Sequence, residues 1–235
     1  MKVLFYFGKN KKSKGTKMMK TDYDLLIQQA EALTKDCPHL IANLANISAL
    51  LYNTLDDINW AGFYLMEDFA DCSALSSQAE SGSPAELSSL AESSSQAESG
   101  SRNGETTKAA APKLILGPFQ GNPACIEIPL GKGVCGTAAK EDKTQLVPNV
   151  HEFPGHIACD SASRSEIVIP IHKKNCRINT AATVDCMSGS AGKISEVTSA
   201  VIGVLDIDSP SLPRFTEEDK AGLEELVKLL EQTCL

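Results

Sequence analysis

Apolar residues recur at helical spacing in three parts of the chain. Leu25, Leu26 and Leu33, with Gln29 on the same stripe, predict a first amphipathic helix behind a Thr21/Asp22 cap. Pro38 opens a second, with Leu40, Ile41, Leu44, Ile47, Leu51 and Leu55 along one side. The chain closes with a third, from Thr216 to about Thr233, where Thr216 and Asp219 stand three apart as in a capping box. Between the second and third helices the period shortens to that of strands. Segments at Ile58–Met66, Lys113–Phe119, Cys125–Leu130, Gln145–Val147, Glu166–His172 and Ala200–Asp208 read as strands, with a short helical piece at Val134–Lys140. That order predicts an α+β fold: one antiparallel sheet of about six strands with helices packed on a face.

Two stretches break the pattern. Residues 69–112 are rich in serine, alanine and glutamate, with twelve serines between Ser73 and Ser101, and the octet SSQAESGS occurs at 76–83 and again at 94–101. Such a composition buries too little apolar surface to offset a backbone ordering cost of roughly 1–2 kcal/mol per residue, so a disordered insertion is expected. Residues 173–199, with their SGSAG run and little periodicity, read as a second expanded loop. Loop-closure entropy grows only logarithmically with length, so both can join paired strands without disrupting a sheet. The expected organisation is a basic arm over 1–20 followed by one domain over 21–235 that carries both insertions.

Composition narrows the function. The 235 residues are 42% hydrophobic and 22% charged, enough apolar content for a true core, and the net charge is −8. An acidic chain lacks the basic face that displaces counterions from nucleic acid, so no nucleic-acid partner is expected. No apolar run approaches the roughly 20 residues of a membrane-spanning helix, so no membrane partner is expected either. Residues 1–20 hold seven lysines and no acid, but lack the arginine of a transit peptide. The apolar stretch Val3–Phe7 is too short for a secretion signal. Eight cysteines in such a chain point to thiol chemistry or burial rather than a disulfide scaffold, and to a cytoplasmic location.

Three constellations could carry chemistry. GKGVCG at 131–136 matches a dinucleotide fingerprint, but a turn-rich stretch, Pro148–Gly155, stands where a second parallel strand is required. The other reading is a tight turn at Gly131 and Gly133 that presents Cys135 to a helix N-terminus, where a thiolate would be favoured. HIACD at 156–160 sets Cys159 in a loop near His156, and either that histidine or a helix end could ionise the thiol. Metal binding by His151, His156 and Cys159 is the rival, and it lacks any established ligand spacing, so no metal is expected. In GVLDIDS, Asp206 and Asp208 share one face of a strand, and Glu166 begins another. Three converging carboxylates could hold an ammonium group, and their crowding would keep a proton on one of them. Trp60, the only tryptophan, is a core residue by default and also the best face for a cationic or methyl-sulfur group. Cys37 reads as a packing residue, while Cys72, Cys176 and Cys186 fall in or beside the insertions.

The segments NWAGFYL, ACIEIPLGKGVCG, HIACDSASRSEIVIPI and VIGVLDIDSP closely resemble the free methionine-(R)-sulfoxide reductases, which are built on a GAF domain. The resemblance spans 22–68, 113–171 and 200–232, and fills all three of the family's cysteine positions with Cys125, Cys135 and Cys159. It implies a six-stranded sheet enclosing a small cavity, and free methionine sulfoxide as substrate. It assigns Cys159 as nucleophile, passing through a sulfenic acid to a disulfide with Cys125 or Cys135. The same resemblance has Glu166, Asp206 and Asp208 bind the ammonium group and polarise the S=O bond, with Trp60 packed on the methyl-sulfur end. No bound cofactor is implied: thioredoxin, with thioredoxin reductase and NADPH, restores the thiols, and a homodimer is the assembly the resemblance allows. The alternative class is a non-catalytic GAF module that senses a small ligand or uses its cysteines as a redox switch.

Overall fold

The computed structural model describes residues 20–67, 111–157, 161–173 and 200–234. Helices α1 (Tyr23–Thr34) and α2 (Leu40–Thr54) lead into β1 (Trp60–Met66), β2 (Lys113–Gly121) and β3 (Glu127–Pro129). Helix α3 (Gly133–Glu141), strand β4 (Gln145–Val147) and a single 3₁₀ turn (Val150–Glu152) follow. Strands β5 (Ser165–Lys173) and β6 (Ala200–Ser209) and helix α4 (Glu217–Thr233) complete the order. The strands form one sheet ordered β3-β2-β1-β6-β5-β4, with every neighbouring pair antiparallel. The expected α+β domain with six antiparallel strands is what forms.

Side-chain parity divides the sheet between two cores. Ala61 and Phe63 on β1, Ile167, Ile169 and Ile171 on β5, and Leu205 and Ile207 on β6 face one way. Leu26 and Ala30 of α1, Leu44, Ile47 and Leu51 of α2, and Leu223, Leu226 and Leu230 of α4 cover that side. Each such aliphatic, fully buried, stabilises by about 1.5–3 kcal/mol. Intervening positions Trp60, Tyr64, Val168 and Val204 face the opposite way, against Val134, Cys135 and Ala138 of α3. The three long helices thus share one face as expected. The short helix α3 takes the other face, because the GKGVCG turn carries the chain across the sheet edge.

Local signals at the helix ends hold. Asp22 caps α1 through its side chain, 3.0 Å from the Leu25 N–H, and Thr216 and Asp219 close a reciprocal capping box on α4. The stripe of α2 holds at Leu40, Leu44, Ile47, Leu51 and Leu55 and fails at one position. Ile41 is exposed, while Asn43 and Ser48 are buried with hydrogen bonds to the Cys37 and Pro118 carbonyls, at 2.9 and 3.0 Å. Strand β3 is shorter than expected, and Cys125 precedes it. Both insertions join antiparallel neighbours: Met66 pairs with Leu114 and Lys173 with Ala200. Most of the expected arm (1–19) and the insertion stretches 69–110 and 174–199 lie outside the described residues, as do Cys72, Cys159, Cys176 and Cys186.

Candidate active site

Glu166, Asp206 and Asp208 stand on the α3 side of the sheet because they occupy the parity of Val168 and Val204. Glu166 on β5 lies directly opposite Asp208 on β6, and Val168 lies opposite Asp206. Cys135 descends onto them from the first turn of α3. That turn depends on Gly131 and Gly133, whose φ angles of +76° and +59° suit glycine and strain other residues. The Cys135 Sγ comes within 3.8 Å of Glu166 Oε1 and donates to it.

These four residues line a cavity of about 30 Å³, completed by Ile128, Gly133, Val134, His156, Ile157 and Ser163. Glu166, Asp206 and Cys135 are each exposed by 6% or less. Asp206 Oδ1 is buried with no hydrogen-bond partner. Of the described residues lining the cavity, none is a lysine or arginine, so negative charge is concentrated there without a counter-charge on the wall.

Burial decides how these groups titrate. Desolvation pushes Glu166 well above the usual carboxylate range, reinforced by the charges of Asp206 and Asp208. Desolvation raises Asp206 as well, partly offset by hydrogen bonds with Cys135 and Glu166. A carboxyl of this pair therefore keeps its proton near neutrality. The expectation that the α3 N-terminus ionises Cys135 is reversed. Desolvation first, then the charges of Asp206 and Glu166, hold its thiol well above the ordinary value. A helix terminus is worth about 0.3–1 kcal/mol at the surface, too little to outweigh complete burial among acids.

The remaining candidates fall around this cluster. Trp60 pairs across β1 and β6 with Asp208, but its ring stacks on Phe119 at 5.3 Å and on Tyr64 at 5.8 Å, inside the second core. Its Nε1 donates to the Asn122 carbonyl at 3.2 Å, so the indole is a wall behind the cavity lining. Cys125 is half-buried just before β3, and its carbonyl accepts from the Tyr64 hydroxyl at 3.1 Å. Cys159 is outside the described residues, but His156 and Ile157 before it and Ser163 after it all line the cavity. Burial and the neighbouring His151 charge hold His156 below its ordinary value. It therefore favours the neutral imidazole at pH 7. The ring centroids of His151 and His156 are 6.3 Å apart.

Ser163 escaped the sequence reading. It is buried, its hydroxyl accepts from Asn59 Nδ2 at 3.0 Å, and its position two residues before β5 was the only available signal. The grouping of Cys135, Glu166 and Asp206, whose ligand atoms lie within 4.8 Å of one another, was invisible to spacing because three separate elements contribute.

The GAF domain family model matches residues 40–234. The free methionine-R-sulfoxide reductase of Escherichia coli (strain K12) is 39% identical over 216 residues, which cover 92% of this chain and 90% of that one. The structure of fRMsr of Staphylococcus aureus in its reduced form aligns with a TM-score of 0.63 and 40% identity, covering 94% of this chain and 99% of that one. The structure of the same S. aureus protein in complex with substrate gives a TM-score of 0.62 and 39% identity, covering 94% and 100%. By its sheet, its match and its full-length relatives, this chain belongs to the GAF-domain family of free methionine-R-sulfoxide reductases.

Proposed function

We propose that this protein reduces free L-methionine (R)-S-oxide to L-methionine with its own thiols. The observation that carries the reading is the convergence of Glu166, Asp206 and Asp208 on one small cavity with no cationic side chain among its described lining. Such a site wants a positive charge. A free amino acid brings an ammonium group there, whereas methionine within a peptide has none to offer. The cavity has room for roughly one water or an ammonium group. A whole amino acid enters as the rim bearing His156 and Ile157 moves outward.

Cys159 is the nucleophile in this reading, and two observations support it: its place in the family motif, and cavity-lining neighbours on both sides. Its sulfur attacks the sulfoxide sulfur while the sulfoxide oxygen takes a proton, which a carboxyl of the Glu166/Asp206 pair holds ready. The hydroxyl then passes to the Cys159 sulfur as the transient S–S bond breaks. Methionine leaves, the oxygen stays on Cys159 as a sulfenic acid, and a second thiol condenses with it to a disulfide and water. Cys125 or Cys135 supplies that thiol. Cys135 is held protonated among acids and is the weaker attacker, which favours the half-buried Cys125. Thioredoxin, regenerated by its reductase and NADPH, returns the disulfide to thiols in the cytoplasm, and a homodimer is the working assembly. Trp60 backs the end of the site that receives the methyl-sulfur group.

The test supplies racemic free methionine sulfoxide with thioredoxin, thioredoxin reductase and NADPH. Consumption stops near half, since only the R epimer reacts, and a peptide-bound sulfoxide is untouched. Consumption of both epimers, or of neither, refutes the proposal, and the second result leaves a ligand-sensing GAF module.

A further inference from the structure

We infer that Cys135, Glu166 and Asp206 form a binding site for a thiophilic divalent cation of the zinc class, and that this ion shuts the cavity. The Cys135 Sγ, one carboxylate oxygen of Glu166 and one of Asp206 all lie within 4.8 Å of one another, and the Sγ–Oε1 separation is 3.8 Å. Tetrahedral zinc, with bonds of about 2.3 Å to sulfur and 2.0–2.2 Å to oxygen, sets ligand sulfur and oxygen roughly 3.6 Å apart. The side chains are therefore nearly in position.

A second observation points to a ligand. Asp206 is 5% exposed, lines the cavity, and leaves Oδ1 without a hydrogen-bond partner. A buried carboxylate oxygen with no partner costs about 1–3 kcal/mol or more, and a cation removes that cost. Size agrees too: a cavity of about 30 Å³ takes one ion with little rearrangement. Three protein ligands leave the fourth tetrahedral position to a water molecule. The sulfur ligand selects softer metals over magnesium or calcium. On binding, the Cys135 thiol and the protonated carboxyl of the Glu166/Asp206 pair give up their protons to solvent, and the sulfur coordinates as thiolate beside two carboxylates, with no change in oxidation state. Occupancy of this site by a metal excludes an ammonium group from the same acids. That consequence, inhibition competitive with the amino-acid substrate, rests on the proposed function, while the binding itself does not.

Cobalt(II) titrated into the fully reduced, full-length chain tests the site directly. The expected result is a thiolate-to-cobalt charge-transfer band in the near ultraviolet, saturating at one equivalent and displaced by zinc. Cys135→Ser abolishes the band, and Asp206→Asn, which keeps every thiol, weakens cobalt binding at least tenfold. Absence of the band, its survival in Cys135→Ser, or unchanged affinity in Asp206→Asn overturns the inference. In Cys159→Ser, which cannot turn the substrate over, free methionine sulfoxide raises the apparent cobalt Kd in proportion to its concentration. An intact, Cys135-dependent band without that competition upholds the metal site and counts against the reductase reading alone.

Discussion

Glu166 and Asp208 face each other directly across the β5–β6 ladder, two carboxylates on the same face of one sheet. Like charges at such a position oppose folding, by about 0.2–1 kcal/mol for an ordinary cross-strand pair. The sheet tolerates the pair by leaving a proton on Glu166, and with Asp206 and Cys135 above it the arrangement has a use: a cation entering the cavity can take that proton's place.

Asp208→Asn is therefore expected to raise stability while weakening the substrate. The urea midpoint moves up by an amount equivalent to about 0.2–1 kcal/mol. The KM for free methionine sulfoxide rises by roughly 10- to 100-fold, since a hydrogen bond to a charged group is worth about 1.5–3 kcal/mol. Denaturation and steady-state kinetics on the same preparation check both. A variant that loses stability and keeps its KM contradicts the assignment.

The three cysteines separate by how many turnovers each variant completes. Cys159→Ser releases no methionine. Cys125→Ser releases about one equivalent per chain and then stalls as a sulfenic acid, because the disulfide with its half-buried partner cannot form. Cys135→Ser continues past the first equivalent with thioredoxin present, since the buried thiol beside Glu166 is too firmly protonated to be the main resolving group. Rapid-quench counting of methionine distinguishes the three. A Cys135→Ser stall at one equivalent, with Cys125→Ser still turning over, reverses the two roles.

Why the sequence spoke clearly about the sheet and less clearly about the site follows from where each depends on local signals. The six strands and the capped helices α1 and α4 follow from periodicity and end residues a few positions apart, so they were legible. The pairing of Asp206 and Asp208 on one face also follows from the period of a strand. The acid convergence needed Glu166 and Asp208 to meet across β5 and β6, a register set by core packing between segments some 40 residues apart. The electrostatics of Cys135 misled for the same reason. Its helix terminus is visible in GKGVCG, whereas the acids that outweigh it arrive from β5 and β6. Ile41 fell on the predicted stripe of α2, yet that helix turns Asn43 and Ser48 inward to satisfy the carbonyls of Cys37 and of Pro118 on β2, which only the assembled fold supplies.

His172 predicts a pH-dependent fastening remote from the cavity. Its Nε2 meets Asp142 Oδ1 at 2.6 Å, on the cap of α3, and its Nδ1 meets Glu231 Oε1 at 2.8 Å, on α4. Burial pulls its pKa down, but the hydrogen bonds and charges of Glu231 and Asp142 together outweigh burial, and the net shift is upward. Lys143 and Lys228 border the same hollow. Because the folded pKa lies above the unfolded value of about 6.5, the stabilisation is complete below that pH and disappears as pH climbs through the folded pKa. The melting temperature of the wild type should exceed that of His172→Gln most near pH 6, with the gap narrowing as pH rises above about 6.5. A gap that stays constant over that range shows that the imidazole acts by packing alone.

Gly62 is the position on which the wall behind the cavity depends. It sits opposite Asp206 across β1 and β6, and opposite Phe119 across β1 and β2. A Cβ there would come 2.6 Å from the Trp60 ring and also collide with Phe119, so the missing side chain is what lets indole and phenyl stack over the strand. Gly62→Ala therefore overpacks the second core and is expected to cost about 1–3 kcal/mol. The indole must tilt away from Phe119, and Tyr64, stacked on its other neighbour, must follow. Since Tyr64 also holds the Cys125 carbonyl, the disturbance reaches the loop that carries the thiol proposed to resolve the sulfenic acid. The expected outcome is a lower urea midpoint, a red-shifted Trp60 emission as the ring gains solvent, and slower disulfide closure in single-turnover experiments. Unchanged emission with normal closure shows that the sheet absorbs the extra methyl elsewhere and that the Trp60 wall is not tuned to this contact.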